Sequence, residues 1–175
     1  MRRINRFPDP NLSDTLKPYT PDNTKMEYAV VDGMRWIRAT TVTPGDNYTQ
    51  YSLAGDLIPP VGEYHAHARA YAQHADANFR IYARKGSSYS NLMEALIPDG
   101  QTVEVDSDFT IPDGCEELIL RIAPAASAGA IGMMSQILIE SKTTYDFAIG
   151  GGFQASSPGT RCRSTNGIRR AGDVR

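Results

Sequence analysis

The sequence predicts an all-β protein: an antiparallel β-sandwich of about eight strands with extended N- and C-terminal arms. Three observations carry that prediction. Apolar residues recur with a period of two in run after run, the spacing of a half-buried strand rather than a helix. Gly and Pro number 15 and 11 among 175 residues, and they break the chain at short intervals that favour many short strands. Each run presents one apolar face, and two packed sheets are the simplest way to bury such faces together.

Taken in order, residues 1–24 carry Pro8, Pro10, Pro18 and Pro21 among Asn, Asp, Ser and Thr. Proline has no N–H to donate, so neither helix nor ladder runs far there, and the segment reads as an extended arm. Lys25 to Val31 and Met34 to Val42 flank Asp32-Gly33, a dipeptide suited to the two-residue turn of a hairpin. Thr43-Pro44-Gly45-Asp46 then turns the chain by composition. The stretch 63–72 is rich in alanine, which favours helix on propensity alone. Its alternation favours a strand instead: Tyr64, Ala66, Ala68, Ala70 and Ala72 fall on one side and His65, His67, Arg69 and Tyr71 on the other.

Ala77 to Arg84 places Phe79 and Ile81 inward against Arg80, Tyr82 and Arg84 outward, before Lys85-Gly86-Ser87-Ser88 turns. Gln101 to Thr110 turns Val103, Val105 and Phe109 inward and ends at Pro112-Asp113-Gly114. Glu116 to Ala123 buries Leu118, Leu120 and Ile122, and Ile131 to Glu140 is the last strand. The sandwich domain is therefore expected over 25–153, and 154–175 is a basic arm carrying Arg161, Arg163, Arg169, Arg170 and Arg175.

Composition bounds the function. Hydrophobic residues make up 41% and charged residues 22%, as in a folded globular domain. With 18 Lys+Arg against 20 Asp+Glu the net charge is -2, so no global basic field favours dedicated nucleic-acid binding. No window approaches the roughly 18–20 apolar residues of a membrane-spanning helix. The N-terminus has no apolar core of a signal peptide, so no membrane or secretory route is expected. Cys115 and Cys162 are too few for a disulfide framework or a zinc site and read as free thiols.

No pattern supports catalysis. There is no Gly-x-Ser-x-Gly elbow, phosphate-binding glycine loop or His-Glu-x-x-His, and no cofactor is expected. His65-Ala66-His67 sets two imidazoles on one strand face, a spacing able to chelate a transition metal, but no third ligand accompanies them and no metal is assigned. Glu116, Glu117, Asp106 and Asp108 read as solubilising charges on exposed strand faces. Sugar recognition would use flat aromatics beside polar groups. Trp36, Tyr71 and Tyr82 are the candidates, and of these Trp36 shares its strand face with Met34 and reads rather as core. Tyr71 shares a face with His65, His67 and Arg69, and Tyr82 one with Arg80. Those six residues form the candidate ligand or partner face, with a composition that suits a protein interface equally well.

Three segments then line up in order: Asn5-Arg6-Phe7-Pro8-Asp9-Pro10-Asn11, Pro59 to Arg69, and Phe109 to Gly114 leading through Glu117 to Ile122, Ile137 to Glu140 and Tyr145 to Gly151. Together they resemble bacteriophage tail-associated modules with a carbohydrate-binding-module-like jelly roll, although Ala148-Ile149-Gly150 follows Phe147 where that family has Asp-Gly. The resemblance implies a jelly-roll virion structural protein, a minor tail or surface component of tail or capsid. Its partners would be other virion proteins, and a homo-oligomer is expected. Recognition of host-surface glycan is the alternative. Both arms lack an alternating apolar pattern, so neighbouring chains are expected to supply the contacts that order them.

Overall fold

The computed structural model describes residues 3–150. Nine strands appear among them: β1 (Thr24–Val31), β2 (Met34–Thr41), β3 (Thr49–Ala54), β4 (Gly62–Gln73), β5 (Ala77–Lys85), β6 (Ser88–Ile97), β7 (Thr102–Ile111), β8 (Glu117–Pro124) and β9 (Ile131–Ser141). A single α-helix, α1 (Lys142–Ile149), follows, and one turn of 3-10 helix spans Gly55–Leu57 after β3. Strands β1-β2-β9-β4-β7 form a five-stranded sheet and β3-β8-β5-β6 a four-stranded one. Every pairing between neighbouring strands is antiparallel. The all-β sandwich is thus as the sequence predicts.

Local chemistry explains the elements. Val31 pairs with Met34 across Asp32 and Gly33, whose φ angles of 51° and 75° are those of a type I′ turn matched to strand twist. The alanines of β4 all face inward, and Phe79, Ile81, Leu118, Leu120 and Ile122 of the opposite sheet share their core. Small residues on one sheet leave room for large ones on the other. In β9 the register with β4 shifts between His67 and Arg69, where Gln136 takes a φ of 51°. This bulge shifts the parity, so that Met134, Ile137 and Ile139 all reach the core.

Two strands lack a readable pattern in the sequence. β3 is short, and its Thr49 and Gln50 are buried polar residues. β6 is an edge strand that starts with the exposed run Ser88-Tyr89-Ser90-Asn91. Its register against β5 shifts beside Tyr82, which interrupts the period of two.

The N-terminal segment corrects an expectation. It is extended, yet its own chain supplies the contacts that hold it. Phe7 and Leu12 are 1% and 0% exposed within the main core, and the Phe7 ring meets Tyr51 edge-on with centroids 5.3 Å apart. Asn5 donates to the Ile137 carbonyl at 2.9 Å and accepts from the Ile139 N–H at 2.9 Å. The buried Asp9 carboxylate accepts from the Ser13 N–H and hydroxyl, each at 2.7 Å. Burial pushes the Asp9 carboxyl upward, but these bonds outweigh it and hold the group below the ordinary carboxylate range. A few anchors and side-chain caps thus replace the missing ladder. Cys115 carries a free thiol, whereas Cys162 and the five arginines of the basic arm lie outside the described residues.

Candidate binding groove

Parity in β4 aims His65, His67, Arg69, Tyr71 and Gln73 away from the core, onto the outer face of the five-stranded sheet. Opposite them β7 supplies Glu104, Asp106 and Asp108. On the other side of β9, strand β2 turns Ile37 and Ala39 inward at 0% exposure, so Trp36 and Arg38 face outward. A groove of about 350 Å³ crosses this face, and Trp36, Arg38, Arg69, Tyr71, Gln73 and Met133 are among the residues that line it.

Trp36 is buried, as the sequence suggests, but parity places it on the outer face of the sheet and not between the sheets. Its side chain is 4% exposed, packed beside Ile131 and Met133 with Met34 and Tyr71 against them, in a cluster separate from the main core. Trp36 Nε1 and Arg38 Nε are buried and have no hydrogen-bond partner among the described residues. Buried donors are paired in the great majority of cases, so two unused donors beside one groove are chemical capacity for a ligand. Arg38 is held by Glu27 at 3.1 Å, and Arg69 Nε lies 3.1 Å from Glu104. His67 Nε2 lies 3.4 Å from the other oxygen of the same carboxylate.

The far end of the same face is closed. His65 is 4% exposed, against the expectation that it faces solvent or a partner. Its Nδ1 lies 2.8 Å from Asp108 Oδ1, and its Nε2 contacts Asp106. The ring of Tyr145 from α1 stacks on it, with centroids 3.4 Å apart and planes 7° from parallel. Helix α1 is held there by a Ser141 cap on the Thr144 N–H and by Lys142, which pairs with Asp108 at 3.3 Å. The hydrogen bond from His65, helped by Lys142, holds the Asp108 carboxyl below the ordinary range. Beside them Glu140, fully buried, accepts from Arg3 Nε at 3.0 Å. Asp106 and Asp108 are therefore clamps on a buried imidazole and not only solubilising charges.

The six predicted face residues do not form one surface. His67, Arg69 and Tyr71 stay together at or beside the groove, and His65 is sealed. Arg80 and Tyr82 stand on β5, on the outer face of the opposite sheet, because the chain crosses between sheets after β4. The sequence names Trp36 as a candidate aromatic but weighs it toward the core, and it holds no signal that singles out Arg38, Gln73 and Met133 as groove residues. The opposite parities of Trp36 and Ile37 held the signal for Trp36.

No protein-family model and no curated protein matches the sequence. Solved structures share its fold. The CBM22-1 xylan-binding domain of Xyn10C from Paenibacillus barcinonensis has a TM-score of 0.57 at 15% identity, over 79% of this chain and 92% of that one. TmCBM61, solved with β-1,4-galactotriose, has a TM-score of 0.53 at 10% identity, over 78% of this chain and 97% of that one. The enzymatically active domain of bacteriophage CBA120 tailspike protein 4 has a TM-score of 0.52 at 12% identity, over 78% of this chain but 21% of that one. The protein thus has the jelly-roll fold of carbohydrate-binding modules. Neighbours that match nearly end to end are such modules, while others are parts of larger enzymes.

Proposed function

We propose that this protein is a non-catalytic carbohydrate-binding module that holds a glycan in the groove of the five-stranded sheet. The observation that carries the reading is the pair of buried, unpartnered N–H donors, Trp36 Nε1 and Arg38 Nε, beside a groove that Tyr71 also lines. Sugars present hydroxyl oxygens that accept such donors and flat faces that stack on aromatic rings. The modules that share the fold support it further, since one is described as xylan-binding and another was solved with a galactotriose.

Trp36 is the one tryptophan of the chain, so intrinsic emission reports directly on the groove. Titration with xylohexaose, galactotriose and solubilised bacterial cell-wall glycans is expected to change that emission saturably for at least one ligand. Tyr71→Ala is expected to weaken the same ligand about tenfold or more, the loss of a stacking and hydrogen-bonding contact. Unchanged emission and no calorimetric heat across the panel, with the protein folded, would overturn the reading.

A virion setting, in the tail or on the capsid surface, is the second reading. The ordered resemblance of Asn5 to Gly151 to phage tail modules favours it, as does the tailspike among the structural neighbours. In it the basic residues Arg161, Arg163, Arg169, Arg170 and Arg175 dock the module, as a homo-oligomer, on other virion proteins. Deleting 154–175 is then expected to leave the thermal transition unchanged and to abolish incorporation into particles, read by mass spectrometry of purified virions. Normal incorporation of the truncated chain would rule out the docking role.

A further inference from the structure

The outer face of the four-stranded sheet carries a second groove, of about 370 Å³, lined by Asp46, Tyr48, Tyr82, Tyr89 and Arg121. It lies on the opposite side of the sandwich from the groove described above, since β8 and β5 belong to the other sheet. Arg121 is its centre. The guanidinium sits 3.7 Å from the centroid of Tyr48 and 5.2 Å from that of Tyr82, and the neutral amide oxygen of Gln50 accepts from its Nε at 3.0 Å and its Nη2 at 2.7 Å. Gln50 is buried at 9% exposure and lies directly across from Arg121 in the β3–β8 register, so the fork is oriented from the neighbouring strand and held over a ring. Nη1 has no hydrogen-bond partner among the described residues, and no carboxylate among them forms an ion pair with Arg121.

That lack of a counter-charge stands out against the neighbours. Arg80 lies directly across from Arg121 in the β5–β8 register, an arrangement of like charges that is destabilising by itself. Arg80 is neutralised by Glu94 at 2.7 Å, and Arg84, further along the strand, by Glu117 at 2.6 Å. Of the three arginines in this row, Arg121 alone is left with rings and an amide. A planar fork held in place with free donors is suited to a carboxylate, which it can meet with parallel hydrogen bonds.

The rest of the groove narrows the ligand. Tyr89, 61% exposed, offers an open ring for stacking, and the Tyr82 hydroxyl already accepts from Arg80 at 3.3 Å. Asp46 also lines the groove. Its negative charge disfavours a ligand of high charge density such as a polyphosphate, while its oxygens suit sugar hydroxyl donors. We propose that this face is a second binding site, for an acidic sugar of the uronate type, with the carboxylate on Arg121, the ring against Tyr89 and hydroxyls toward Asp46.

The test uses the full chain and trigalacturonate, followed by calorimetry and by amide chemical shifts. Binding is expected, with shifts centred on Gln50, Arg121 and Tyr89. Arg121→Gln and, independently, Tyr89→Ala are each expected to weaken it about tenfold or more, which is roughly 1.4 kcal/mol. Arg121→Lys keeps the charge but loses the fork, and an intermediate loss is expected. Tyr71→Ala, in the other groove, is expected to leave it unchanged, so failure of either site is distinguishable from failure of the other. No binding of trigalacturonate would overturn the proposal. Equal binding of its methyl ester, of hexaglutamate or of tripolyphosphate would overturn the assignment to an acidic sugar.

Discussion

His65 and Tyr71 leave β4 on the same side of the same sheet, yet one is sealed and the other lines an open groove. The difference comes from what arrives later in space rather than in the strand. Around Tyr71 the neighbours are Trp36, Arg69 and Met133, with donors left over. Around His65 they are Asp106, Asp108 and Tyr145, with Arg3 and Glu140 beside them, and two carboxylates and a stacked ring already cover the imidazole. Parity decides which face a residue joins. Segments distant in sequence, here α1 and the N-terminal residues, decide whether that face is finished or available.

The comparison breaks first at Glu140. Arg3→Ala leaves the fully buried Glu140 carboxylate without its cation; because the Arg3 side chain is itself about half exposed, the cost is expected at about 1–2 kcal/mol. The thermal transition is expected to fall accordingly, and an unshifted melting curve would mean that the closed end is not held by this pair. Tyr145→Ala is expected to act next, removing the ring over His65 and releasing α1. Amide exchange across 142–149 should accelerate and the His65 ring should become reactive to an acylating reagent. A helix that stays protected would assign its docking to Lys142 instead.

On the open side, Tyr71→Ala is expected to change stability by about 1 kcal/mol or less, the range of a partly exposed surface side chain, while glycan binding weakens about tenfold or more. A large stability loss would make Tyr71 a packing residue. The smallest expected effect is that of pH. Asp108 has a depressed folded pKa, so its contribution is present above the ordinary carboxylate pKa of about 3.9 and is lost as pH falls through the folded value. Protection of α1 should thus hold at pH 5 and fall below about pH 4. Asp108→Asn should flatten that dependence, and a profile identical to the parent would exclude Asp108 as its source.

Much of this architecture is legible from period and turn chemistry. The hairpin at Asp32-Gly33 and the strand assignment of the alanine-rich β4 follow from residues alone, because steric rules at a I′ turn and a period of two are local. What is not local stays hidden. Trp36 and Met34 share a face in any reading, but whether that face is inside depends on which strands flank β2. The sealing of His65 needs α1 to fold back, and the separation of Tyr82 from Tyr71 needs the chain to change sheets after β4. Phe7 and Leu12 sit among prolines and polar residues with no repeat to betray them, and their burial rests on Asn5 pairing with β9.

Strand order has a temporal consequence for this chain. The four-stranded sheet is complete once Pro124 has been made, whereas β9, the last strand among the described residues, lies between β2 and β4. Until residues 131–141 leave the ribosome, the β1–β2 hairpin and the β4–β7 pair have nothing to join them, and the N-terminal segment has no β9 carbonyls to bind. A growing chain therefore exposes a finished apolar sheet face and several unpaired strand edges for the time needed to add β9. Such nascent chains are where pairing with a second copy competes with folding. Slow translation near residue 130 would lengthen that exposure, and a chaperone that shields the four-stranded sheet would shorten its effect.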